Sequence, residues 1–118
     1  MIGDFADDYG SHYHITPDTW LQLPVAQYRI ERWDTERRYL IAQVVDTAAG
    51  AATRWARIDW VELPGMAPYT WAYCYSTWDA PSAAAAESVS VAHPETPKTG
   101  CNGFPYSRMQ PATSPQDN

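Results

Sequence analysis

Short runs of alternating apolar and polar residues, separated by Pro, Gly and acidic turns, cover most of the chain. Such alternation is the mark of half-buried β-strands, whose successive side chains point to opposite faces. The first segment, 3–23, reads as a hairpin. Phe5 leads into the acidic turn Asp7-Asp8-Tyr9-Gly10. The next run places Tyr13 and Ile15 on one face and His12 and His14 on the other. Pro17-Asp18 interrupts it, Thr19-Trp20-Leu21 resumes extended structure, and Pro24 marks the next break.

A second hairpin follows. In 27–33, Tyr28 and Ile30 point one way while Gln27, Arg29 and Glu31 point the other. Asp34-Thr35-Glu36-Arg37 turns the chain into the more apolar strand 39–45. The small residues of 47–53, Gly50 among them, predict a flexible loop. Alternation returns in 55–63, with Ile58 and Trp60 on one face and Arg57 and Asp59 on the other. Pro64-Gly65-Met66-Ala67-Pro68 then turns into 69–78, the most aromatic strand in the chain. Its odd positions form an aromatic row of Tyr69, Trp71, Tyr73 and Tyr75. Its even positions, Thr70, Ala72, Cys74 and Ser76, are small and leave room for another element to dock.

Residues 81–92 are the one plausible helix. Pro81 suits a first turn, Asp79 or Ser82 can cap it, and four consecutive Ala favour the helical state, against the β-branched Val89 and Val91. From His93 onward the chain is irregular and Pro-rich, with Phe104-Pro105-Tyr106 available as a short closing strand. By composition, 110–118 reads as a disordered tail, which leaves 1–109 as a single β domain. The elements together predict a mainly β fold: an antiparallel meander of about six to seven strands and one short helix near 81–92. It closes into a small barrel or forms a curved sheet, with a two-sheet sandwich as the alternative.

Composition narrows the function classes. Six Trp and eight Tyr stand against only two Phe. Trp and Tyr carry polar tips, so they favour half-buried sheets, pocket rims and interfaces. Net charge is −6, and the single Lys98 and the scattered Arg residues form no basic stripe. That argues against nucleic acid and against anionic membranes as partners. No stretch approaches the length of a transmembrane segment. The acidic start after Met1 does not read as a signal peptide; if the protein is secreted, Met1 is either an artificial start or follows a trimmed signal.

Two cysteines are compatible with two buried free thiols or with one disulfide. Cys74 lies in the aromatic run and Cys101 in a Gly-Cys-Asn-Gly turn with little else to anchor it, which favours the disulfide. Such a crosslink stabilises by about 3–4 kcal/mol in the chain-entropy model. It also points to an oxidising compartment, with the protein secreted or at the cell surface or periplasm.

Several stretches occur in a familiar order. Asp8-Tyr9-Gly10-Ser11-His12 leads to His14-Ile15-Thr16 and Trp20. Tyr39-Leu40-Ile41-Ala42-Gln43 precedes Trp55-Ala56-Arg57-Ile58-Asp59-Trp60. Tyr73-Cys74 is followed by the Ala-rich segment and Gly100-Cys101-Asn102-Gly103-Phe104. Over most of 3–109 this order resembles a group of small, uncharacterised bacterial surface proteins, often lipoproteins. Val44-Val45-Asp46 departs from it, where an Asn-Asp pair is expected. The resemblance implies secretion or surface attachment and one disulfide, and it carries no activity and no functional residue.

The candidate ligand-binding residues are Tyr69, Trp71, Tyr73, Tyr75, Trp55, Trp60, Arg57 and Asp59. An exposed aromatic row can stack on sugar rings or bury into a partner. The other reading, which is favoured, has the row line the core while Trp20, Trp55 and Trp60 fill gaps, with space for a small-ligand cavity. Arg57 and Asp59 belong either to a cross-strand charge network with Glu31, Arg29 or Glu62, or to a polar cluster in a barrel pocket. His12 and His14 share a strand face and could share a metal, with a third ligand from Asp7, Asp8 or His93; solvent-facing histidines are the favoured reading. Asp4, Asp7 and Asp8 could offer carboxylates to calcium, yet they lack the glycine-bearing register of a calcium loop.

No nucleophile motif and no paired His–acid spacing is present, and no cofactor is implied. The leading expectation is an extracytoplasmic binding module that uses a Trp/Tyr-rich face or cavity for a glycan or small apolar ligand. The alternatives are a structural subunit of an extracellular assembly that self-associates, and a small barrel enzyme.

Overall fold

Alternation fixes which side chains share a face, and the strands it produces close on themselves. The structure is a computed structural model that describes residues 1–24, 26–45, 53–89 and 91–112. Eight strands run in chain order: β1 (Gly3–Asp7), β2 (His12–Ile15), β3 (Thr19–Leu23), β4 (Ala26–Asp34), β5 (Tyr39–Val44), β6 (Trp55–Glu62), β7 (Trp71–Ala80) and β8 (Ser107–Pro111). Each pairs antiparallel with its neighbours, and β8 returns to β1 to close the barrel. Closure leaves no sheet edge unpaired among the described strands, so edge-to-edge pairing offers no route to assembly.

The number of strands is eight rather than six or seven, and the closing strand differs from the expected one. Phe104 and Cys101 exchange backbone hydrogen bonds in a tight turn, and Tyr106 N–H bonds to Pro97 O. Residues 104–106 are therefore held by the preceding loop, and β8 begins at Ser107. It runs through Gln110 and Pro111, which composition had assigned to the tail. Residues 113–118 of that tail lie outside the described residues, as do 47–52 of the expected loop and Asp46 of the departure from the resemblance.

Helix α1 spans only Ala83–Glu87. The Ser82 side chain accepts from the Ala85 N–H, and Ser88 caps the other end. Beyond it, Ala92 bridges to Cys101, an extended pairing that helical geometry cannot make. The long Ala-rich helix is cut short because its far end is recruited to the disulfide segment.

Eight strands enclose a lumen just wide enough for side chains to fill. Here large rings fill it. Trp20 is fully buried and meets Tyr73, Tyr13 and Trp71 edge to face, with ring centroids 5.0, 6.0 and 6.0 Å apart. Phe5 packs on Trp71 at 5.1 Å. Ala42 and Ala56, paired across β5 and β6 and fully buried, make room for these rings. Two satellite clusters cover the outer wall. One joins Val61, Leu63, Ala72, Cys74 and Tyr106; the other seats Ala86 of α1 on Tyr39, Ile41 and Ala80.

Candidate functional site

The aromatic row divides between inside and outside. Trp71 and Tyr73 are buried in the lumen, and Tyr75 is half-buried against the same cluster. Tyr69 precedes β7 and packs instead on the outer wall. The row is thus core for its central members, and it presents no continuous face to solvent. Trp60 is also lumenal, but Trp55 is not, because its position in β6 turns it outward, onto the cluster beneath α1.

The lumenal phenols are hydrogen-bonded. Tyr13 donates to Asp7 Oδ2 at 2.7 Å, which leaves the Tyr73 hydroxyl to donate to Tyr13. Trp20 Nε1 donates to Tyr75 at 3.0 Å, and Tyr75 donates to Gln22 Oε1 at 2.8 Å. Burial, more than any neighbour, pushes the phenols of Tyr13, Tyr73 and Tyr75 far above their ordinary range. A neutral phenol loses less than a phenolate when water is removed. These groups fix the rings in place rather than offering chemistry.

Arg57 and Asp59 lie on the outer wall, not in a barrel pocket, because their parity in β6 is opposite to that of Ile58 and Trp60. The guanidinium grips the Asp59 carboxylate through two bonds of 2.9 and 3.1 Å. It also donates to the Glu87 carbonyl at 2.5 Å and sits 4.1 Å from the centre of the Tyr39 ring. Ser76 donates to Asp59 at 2.6 Å, and Tyr39 donates to Glu87 Oε2 at 3.0 Å. Arg32 completes the set by pairing with Glu87. A polar and charged network is present, but its members come from β4, β5, β7 and α1 instead of being Glu31, Arg29 or Glu62. Its role is to dock the helix.

The remaining candidate ligands are dispersed. His14 Nδ1 lies 2.6 Å from Asp4 Oδ1, and His12 faces solvent beside it on β2. Asp7 points into the lumen, where it also accepts from the Tyr9 and Ser11 N–H groups. Asp8 pairs with Arg108 at 2.9 Å, and His93 pairs with Glu95 at 3.5 Å. Three neighbouring acids thus serve three different partners. Among the described residues no group of three or more His, Cys, Asp or Glu is placed to hold a metal ion.

Cys74 and Cys101 form a disulfide across the outer wall. The small even positions Ala72 and Cys74 lie beneath the docked segment, as their size allows. That segment is knit internally: His93 N–H bonds to Gly100 O, and Thr96 N–H to His93 O. Gly100 is required by this packing, since a Cβ there would stand 2.0 Å from His93 O.

Among the described residues, one concavity of about 400 Å³ follows the 62–70 turn and is lined by Leu63, Pro64 and Tyr69. Two others adjoin the barrel mouth and the disulfide segment. The first of these two, about 390 Å³, lies at one mouth of the barrel and is lined by Met1, Ile2, Pro17, Trp33, Thr35 and Trp60. It is almost wholly apolar, and the Trp33 Nε1 is already occupied by Pro17 O at 2.9 Å. The second, about 330 Å³, is a groove on the outer wall between the 63–66 turn and the disulfide segment. Asp8, Tyr9, Met66, Lys98, Tyr106 and Arg108 line it. Arg108 lies 4.6 Å from the centre of the Tyr69 ring, which ties this member of the aromatic row to the groove. Asp8 Oδ1 is sealed from solvent and has no hydrogen-bond partner. Tyr9, by contrast, is 74% exposed.

Sequence reasoning missed this groove. Asp8 and Tyr9 come from the first turn, Met66 from the third hairpin, and Lys98 and Arg108 from either side of the closing loop. No local pattern links them. The one available signal was the isolated Lys98, the only lysine of an acidic chain. Comparison of the chain with protein-family models, with curated proteins and with solved structures gave no match. No helix among the described residues is long and apolar enough to cross a membrane. The fold is a disulfide-linked, aromatic-filled β-barrel, and the disulfide is compatible with an extracellular location.

Proposed function

We propose that the protein is an extracytoplasmic binding module whose ligand site is the outer-wall groove, and that the ligand is a glycan. The observation that supports this most is the meeting of an exposed ring, Tyr9, with the Asp8–Arg108 ion pair in one concavity. Sugar recognition asks for an apolar platform beside polar groups that can both donate and accept. Arg108 supplies donors, Asp8 supplies acceptors, and Tyr9 supplies the platform. The lumen is filled by rings, and the mouth concavity offers little to orient a polar ligand. The disulfide supports the assignment to an oxidising compartment.

The test is binding of the oxidised protein to an immobilised oligosaccharide panel, with Tyr9→Ala as the control variant. Tyr9 is mostly exposed, so its loss leaves the fold intact. Binding by the parent that falls at least tenfold in the variant supports the reading. Binding that the variant retains in full moves the site elsewhere.

A second reading, a subunit that self-associates, is favoured by two exposed rings. Phe104 is 70% exposed and Trp78 is 55% exposed. Light scattering across a concentration range decides it: a persistent monomer removes this reading, while mass that rises with concentration supports it.

A further inference from the structure

The groove is electrostatically out of character with its chain. The protein carries a net charge of −6 and one lysine. That lysine, Lys98, lines the groove together with Arg108, so two cations stand there against the single carboxylate of Asp8. Arg108 commits its Nε to Asp8 Oδ2. Lys98 is exposed and forms no ion pair with any described residue. An unpaired ammonium beside a guanidinium whose terminal nitrogens are not spent on Asp8 is a place for a carboxylate.

The other side of the groove asks for the opposite. Asp8 Oδ1 is a sheltered oxygen without a donor, and an unpaired carboxylate oxygen is costly when water cannot reach it. Because Oδ1 is closed to solvent while the Asp8 side chain is 13% exposed, a hydroxyl entering the groove meets Asp8 at Oδ2, which Arg108 shares and which keeps a lone pair for a second donor. Tyr9, at the edge, offers a flat face to a ring. Carboxylate, hydroxyl and ring are the three features of one class of compound.

Resting on the reading of the groove as a glycan site, we propose that its ligand is an acidic sugar, a hydroxylated ring bearing a carboxylate. Lys98 and Arg108 take the carboxylate, Asp8 takes a hydroxyl, and Tyr9 stacks on the ring. A neutral sugar satisfies only the last two contacts. An acidic peptide satisfies the cations but brings no ring of hydroxyls to Asp8.

The experiment is a titration of isotopically labelled, oxidised protein with a galacturonate trisaccharide and, separately, with the neutral galactose trisaccharide, followed by amide chemical shifts. The expected result is shifts at Tyr9, Lys98 and Arg108, with the acidic sugar binding at least about tenfold more tightly. Lys98→Ala should remove most of that preference, by weakening the acidic sugar more than the neutral one, while Lys98→Arg should restore it. The Lys98 side chain is exposed and forms no hydrogen bond or ion pair among the described residues, so these variants are expected to fold as the parent does, which the amide spectrum checks directly. Equal affinity for the two sugars overturns the acidic-ligand inference and leaves the glycan site standing. An acidic preference that survives in Lys98→Ala also overturns it. No shifts in the groove with either sugar overturn both.

Discussion

Tyr13 donates its phenolic hydrogen to Asp7 Oδ2 at 2.7 Å inside the barrel, and Tyr13 is in turn the acceptor for Tyr73. The two residues are six apart in sequence and flank the first turn, so one hydrogen bond joins the β1–β2 hairpin to the lumenal ring stack. Asp7 also holds the Tyr9 and Ser11 N–H groups at 2.9 Å each. The carboxylate therefore shapes the turn that presents Tyr9 to the groove.

Replacing Tyr13 with Phe removes the hydroxyl while keeping the ring. Asp7 loses one donor and the Tyr73 hydroxyl loses its acceptor, both out of water. The expected cost is about 1–3 kcal/mol, measured by urea denaturation. A change below about 0.5 kcal/mol would show that the hydroxyl pair contributes nothing net.

Arg57 holds α1 to the wall through Asp59 and the Glu87 carbonyl, and the two charged side chains are only 15% and 12% exposed. Arg57→Met should destabilise by about 2–3 kcal/mol, somewhat less than for a fully buried pair because some water remains. In a double-mutant cycle with Asp59→Asn, a coupling energy above about 1 kcal/mol is expected. Additive effects would mean that the pair is not what docks the helix.

Alkaline pH should unfold the barrel cooperatively. Burial holds the phenols of Tyr13, Tyr28, Tyr73 and Tyr75 protonated beyond their ordinary range of about 10, and it pushes Tyr106 up to about 12. The folded state then binds more protons than the unfolded chain above pH 10. Their stabilising contribution is complete below that value and falls as pH rises through about 12 and beyond. Phenolate absorbance from these residues should appear together with loss of the near-ultraviolet tryptophan signal. Ionisation of the lumenal phenols in a barrel that keeps this signal would contradict the burial described.

Gly100→Ala should release the disulfide segment from its internal fold, since the new methyl meets the His93 and Thr96 carbonyls at 2.0 and 2.6 Å. Proteolysis within 93–106 should then accelerate. Removing both cysteines has a related effect through the unfolded chain. For a separation of 27 residues the expected loss is about 3.5 kcal/mol. A double Cys→Ala variant with an unchanged Tm would show that packing alone holds the segment.

The sequence by itself determined the strands up to β7 and their faces, but not β8, whose residues read as a loop end and a tail. A period of two is a local property of the backbone, so Tyr13 with Ile15, Tyr28 with Ile30, and Ile58 with Trp60 were legible as shared faces, and all six are buried. The small face of β7 and the Cys74–Cys101 pairing were legible too, because small residues and a lone anchoring cysteine are local signals. Which face becomes the lumen was open. Only closure of β8 onto β1 makes the odd positions of β7 interior, and with them Trp71 and Tyr73. The same closure sends Arg57 and Asp59 outward to the helix, where Ser76 and Glu87 meet them. The groove required tertiary structure most of all, since it joins residues from three separate turns. Charge and ring faces brought together by barrel curvature leave no trace in the spacing of the residues that carry them.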